Sequence, residues 1–186
     1  WFSGIIGWLN EQGIECRPLE AADKAPEWLA ALETILAYEA CQGLSAKIGE
    51  DLSAVGKATS ALIQQGRETS LQVYQQAITF MQQCRRQRDD YFPDSDVILS
   101  LAAPSVAPQG LSSTGDASFC APWSFLGLPA ITLPGGISAQ RLPIGLQLIG
   151  HSMKESDLIS IACWFESRLP RIRAPLNGGG SSSDKS

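Results

Sequence analysis

Residues 113–150 read STGDASFCAPWSFLGLPAITLPGGISAQRLPIGLQLIG. Glycines and prolines stand between apolar runs here, and each either restricts or specially permits a backbone conformation. The spacing predicts a cavity wall or a tight strand–turn–strand corner. Residues 130–133 read as a short strand closed by Pro134-Gly135-Gly136. Residues 144–149 are nearly all apolar, as a strand covered on both faces would be. A short helix is expected within residues 119–125, after Pro122, where bulky apolar side chains recur.

Working outward, Asp96-Val97-Ile98-Leu99-Ser100-Leu101 reads as a buried strand stopped by Pro104. The longest amphipathic pattern runs over residues 69–90, with Leu71, Tyr74, Ala77, Ile78, Met81 and Cys84 on one stripe. Thr69 and Gln72 make a capping box for it. Pro26 precedes a helical pattern of Trp28, Leu29, Leu32, Ile35 and Leu36 that closes near Cys41. A weaker helix is expected over residues 51–65. Phe2, Ile5, Ile6 and Leu9 form the last turns of a helix stopped at Gly13, followed by a short strand over residues 14–19. Beyond the central stretch, Ser152 is expected to cap a final helix with Leu158, Ile159, Ala162, Phe165 and Leu169 buried. Strands alternating with long helices place the chain in the α/β class, with a mixed or parallel sheet covered by helices.

The composition narrows the function classes. With 186 residues, 44% apolar, 18% charged and a formal charge of −5, this is the profile of a globular domain with a mild argument against a nucleic-acid surface. The basic cluster Arg85, Arg86 and Arg88 is followed at once by Asp89 and Asp90 and reads as a solvated helix end. No run reaches the roughly 18 apolar residues of a membrane span. The five cysteines lack CxxC or CxH spacing and read as reduced, mostly buried thiols of a cytoplasmic protein. The start Trp1-Phe2-Ser3-Gly4 has no initiating methionine and no basic leader, so it reads as a chain entered partway.

Chemistry is sparse. Ser113, Ser118 and Ser124 lie in the punctuated region, but none sits in a GxSxG elbow. His151 is the sole histidine, so a zinc site of several histidines is excluded and any Ser-His-Asp set must use it. Cys120 has no neighbouring His or Lys in sequence to stabilise a thiolate. Glu155 and Asp157 suit the positive end of a helix dipole. Asp116 is the more pointed residue, because it follows Thr114-Gly115 and precedes Phe119, Trp123 and Phe125. A carboxylate beside aromatic rings is equipped to line a pocket and meet a polar substrate group.

Residues 115–134, GDASFCAPWSFLGLPAITLP, and 142–150, LPIGLQLIG, resemble the C-terminal part of the amidase signature family. Tyr38-Glu39-Ala40, the Gly66-Arg67 step and the strand leading to Pro104 are similar to the same region. The resemblance implies the C-terminal part of an α/β/α fold with a mixed sheet covered by helices. Residues 1–175 would form a portion incomplete on its own, and residues 176–186 a disordered tail or linker. It further implies amide hydrolysis through an acyl-enzyme, by a Ser–cis-Ser–Lys triad that needs no metal or organic cofactor.

In that family the two serines and the lysine belong to the N-terminal half. No catalytic residue is therefore assigned here, and the chain alone is expected to be inactive. The resemblance makes Asp116, Phe119, Cys120 and Trp123 the substrate-binding wall, with Cys120 standing where the family often has asparagine. The implied partners are the N-terminal half of the same enzyme and a small-molecule amide. A homodimer stays open, and neither nucleic acid nor membrane is expected. Two other readings compete: a non-catalytic scaffold or binding subunit that keeps the amidase fold, and an independent hydrolase using His151.

Overall fold

The apolar run of residues 144–149 becomes the middle of a sheet. In the computed structural model, which describes residues 1–19, 22–49, 52 and 55–169, the sheet has three strands. They are β1 (Val97–Leu101), β2 (Ala130–Ile137) and β3 (Pro143–Gly150), in the order β1-β3-β2. β3 pairs antiparallel with both neighbours, so Leu148 faces Leu99 on one side and Ile131 on the other. Residues from Leu146 to Gly150 are all buried, as expected of a strand covered on both faces.

Alternation along the strands divides the core in two. Leu133, Leu146 and Leu148 point to the layer made by α1 (Phe2–Glu11) and α6 (Glu155–Arg168), where they meet Leu9, Leu158 and Phe165. Ile98 and Ile149 point the other way, to α2 (Ala25–Ile48), α4 (Leu71–Arg86) and α5 (Ala121–Leu126). There they join Trp28, Ile35, Phe92, Phe125 and Leu126. Helix α3 (Lys57–Glu68) lies against α2 where Gly66 meets Ala37 and Cys41. Gly150 allows α6 to approach the sheet, since a Cβ there would sit 3.0 Å from that of Leu158.

The expected class of helices covering a sheet holds, and the pairings among the described strands are all antiparallel. The parallel option drawn from strand–helix alternation does not apply to them. Residues 14–19 form no strand. They are tied locally by Ile14 N donating to Leu9 O at 3.0 Å and by an exposed ion pair in which Arg17 Nε donates to Glu15 Oε1 at 2.8 Å. β2 does not stop at Pro134 but continues to Ile137 through a bulge, with Pro134 paired to Gly145 and Gly136 to Ile144. Proline fits there because β2 is an edge strand among the described residues.

Several helix ends differ from expectation. α2 runs on past Cys41 to Ile48, and α3 covers residues 57–68 rather than 51–65. Thr69 does not cap α4: its hydroxyl donates back to Gln65 O, and Ser70 Oγ accepts from Val73 N instead. α6 begins at Glu155 with no side-chain cap, leaving Ser152 in the preceding turn. Leu71, Leu36 and Ile159 are 55%, 48% and 54% exposed and drop out of their expected stripes. Cys41 and Cys84 are buried, whereas Cys120 and Cys163 are exposed, so the thiols are less buried than expected. The expected tail over residues 176–186 lies outside the described residues.

Candidate functional site

Between β1 and α5 the chain leaves the core and builds a loop from its own short turns. Gly115, at φ +94°, donates its N–H to Ser113 Oγ at 3.1 Å. Ser118 N then donates to Asp116 Oδ1 at 2.7 Å. That bond holds the Asp116 carboxyl below the ordinary aspartate range, on a side chain that is fully exposed. The Ala117 carbonyl closes the loop onto α5 by accepting from Cys120 N at 3.0 Å and Ala121 N at 2.8 Å. It also accepts from the Cys120 thiol at 3.3 Å.

The expected wall residues therefore separate. Asp116, Phe119 and Cys120 face outward, with Phe119 39% exposed. Trp123 is buried with Phe125 and Leu126 in the core, and its indole N–H has no partner among the described residues. The surface of this loop offers a carboxylate for a cationic or hydrogen-bonding group, an aromatic face and a thiol. It offers no nucleophile paired to a base.

α5 has only six residues, too few to be stable by itself, and it is held from both ends. Pro122 sits in the first turn, where no internal hydrogen bond is lost. At the other end Gly127 adopts the left-handed conformation, φ +66° and ψ +37°. Leu128 N reaches Trp123 O at 3.0 Å and Gly127 N reaches Ser124 O at 3.1 Å, the Schellman arrangement. The last two carbonyls are taken by arginines from the end of α4 and just beyond it. Arg85 Nε donates to Phe125 O at 2.7 Å, and Arg88 Nη1 donates to Leu126 O at 3.4 Å. Arg85 Nη2 also reaches Ser124 O at 3.3 Å. The basic cluster is thus not simply a solvated helix end: Arg85 and Arg88 cap a second helix, and of the three only Arg86 is exposed.

His151 is placed by packing. Its Nε2 lies 2.9 Å from Ser95 O, which makes that nitrogen the donor, and its ring centroid is 4.2 Å from that of Phe92. Among the described residues its hydrogen bonding involves no serine hydroxyl and no thiol, so the base of an independent hydrolase is not assembled. Among the same residues no three His, Cys, Asp or Glu side chains gather into a metal site, and no helix is long and apolar enough to cross a membrane. Shallow hollows of about 510 Å³ beside α3 and 300 Å³ along the glutamine face of α4 lie away from the loop and carry no such chemistry.

Comparison with known proteins identifies the family and the fold. The family model described as Amidase matches residues 2–159. The chain belongs to the amidase family. A glutamyl-tRNA(Gln) amidotransferase subunit from Agathobacter rectalis is 39% identical over 95 residues, covering 47% of this chain and 19% of that protein. A crystal structure of an amidase matches with a TM-score of 0.80 at 20% identity, over 91% of this chain and 41% of the other. A 6-aminohexanoate cyclic dimer hydrolase in complex with its substrate matches with a TM-score of 0.70 at 18% identity, over 95% and 42%. The chain thus spans less than half the length of these relatives, and the structural likenesses establish the shared fold.

The sequence reading missed the two capping arginines and Gln147. Gln147 is 2% exposed, and its Oε1 has no partner among the described residues. Register places it in one row with Ser100 and Thr132 across the sheet. An isolated amide inside an apolar run was the available signal. For the arginines there was none, since their acceptors lie about 40 residues downstream.

Proposed function

We propose that this chain is part of an amide-hydrolysing enzyme and supplies core strands and one wall of the substrate pocket. The reading rests on one observation: the family match over residues 2–159 includes a loop that turns Asp116, Phe119 and Cys120 outward from a rigidly held helix. In this proposal the nucleophile, its bridging serine and its lysine come from the N-terminal half of the enzyme, with no metal or organic cofactor. The serine gives up its proton through the bridging serine to the lysine and attacks the amide carbonyl while backbone N–H groups hold the oxyanion. The C–N bond then breaks, the amine leaves with that proton, and water cleaves the acyl–serine ester to the free acid and the serine. Asp116 binds a cationic or hydrogen-bonding end of the substrate, Phe119 and Cys120 line the approach, and Trp123 backs that wall from the core.

The test is hydrolysis of small amides by this chain alone and joined to an amidase N-terminal half. Activity confined to the joined protein supports the proposal. Stable association without activity favours the non-catalytic scaffold. Hydrolysis by the chain alone, abolished in His151→Ala, would establish the independent hydrolase instead.

A further inference from the structure

We propose that Arg85 and Arg88 are positioning residues for the substrate-facing loop, an inference that rests on the wall reading of Asp116. A helix leaves its last four carbonyls without internal partners. In α5 these belong to Trp123, Ser124, Phe125 and Leu126, and all four are filled. Two of the partners come from the chain's own turn at Gly127 and Leu128, and the others from the guanidinium groups of Arg85 at the end of α4 and Arg88 just beyond it. The guanidinium charge also opposes the negative end of the helix dipole. Arg85 serves two adjacent carbonyls with its fork, which a lysine ammonium cannot reproduce.

The site end of α5 is coupled to this clamp because the helix is so short. Ala117 O is bonded to both Cys120 N and Ala121 N, and Cys120 O accepts from Ser124 N at 3.4 Å. Ser124 is itself a residue whose carbonyl Arg85 holds. A tilt of α5 released at its C-terminal end is therefore passed to the turn that aims Asp116. A Cβ at Gly127 would make only ordinary contact with Arg85 Nε at 3.4 Å and Arg88 Nη1 at 3.5 Å, so glycine is required there by the left-handed backbone at φ +66° and not by space.

Amide hydrogen exchange on the full 186-residue chain tests the coupling without any substrate. In Arg85→Met, exchange at Cys120 and Ala121 is expected to rise about tenfold, with α2 and β3 unchanged. Arg88→Met, which removes the longer bond, should show a smaller rise at the same amides. Arg85→Lys should restore part of the protection, and Arg86→Met should leave it at the parent level. Unchanged exchange at Cys120 and Ala121 in Arg85→Met overturns the inference. So does a uniform rise that includes α2 and β3 in Arg88→Met, which would make the arginines general stabilisers.

In a protein joined to an amidase N-terminal half, Arg85→Met should raise KM severalfold while kcat changes less than twofold. A fall in kcat at constant KM also counts against positioning of a binding wall. Absence of hydrolysis by the parent would sink the hydrolase reading, while the exchange result still decides the coupling.

Discussion

At Gly66 there is no room for a methyl group. A Cβ built there overlaps the Ala37 carbonyl oxygen and lies 2.6 Å from Cys41 Cβ, so α2 and α3 cross at a glycine because nothing larger fits. Gly66→Ala should lower stability by about 1–3 kcal/mol, the usual cost of overpacking, as read by denaturant melts. Gln147 makes the opposite case. An unpartnered buried acceptor is itself costly, so Gln147→Met should leave stability within about 1 kcal/mol of the parent or above it. A loss much larger than that would reveal a partner for the amide.

Asp116 carries a pH signature. Its folded value is depressed by the Ser118 N–H, so the tie is complete above the ordinary aspartate value and is lost as pH falls through the depressed folded one. The Ser118 amide should then lose exchange protection in acid beyond the intrinsic pH effect. Asp116→Asn, which keeps an acceptor but does not titrate, should abolish that extra dependence.

Among the elements, α4 and α5 show how far local signals carry. The amphipathic stripe located α4, but the capping box expected from Thr69 and Gln72 falls one residue short of the true cap. Only the backbone path decided that Ser70 faces the Val73 N–H. Ser70→Ala should cost about 1 kcal/mol, with Thr69→Ala costing less. For α5, Pro122 marked the start in sequence, whereas its C-terminal stop at Gly127 and its stability came only with the structure. Phe125 and Leu126 are fully buried against α4 and the sheet, and the terminal carbonyls are filled by Arg85 and Arg88. Phe125→Ala should cost about 3–5 kcal/mol, measured by thermal or denaturant unfolding.

For the whole molecule, β1 and β2 both end as edges of the described sheet, and Leu36, Val73 and Ile159 leave apolar surface on the helices. Unpaired strands and exposed apolar side chains template association. The chain alone should therefore self-associate in sedimentation velocity, and joining it to an amidase N-terminal half should suppress this. A single monomeric species with cooperative unfolding would contradict the expectation.

What the sequence determined by itself was set by neighbours along the chain: the helices of period 3.6, the buried run that became β3, and the glycine and proline joints. Family membership belongs here too, because residues 115–134 and 142–150 are contiguous motifs. Tertiary structure alone decided the antiparallel pairing, the burial of Trp123 but not of Phe119, and the reach of Arg85 and Arg88 across to the end of another helix. Each of these depends on residues tens of positions apart meeting in space. Local conformational preference is blind to such encounters, and only packing of the two core layers against one sheet brings them about.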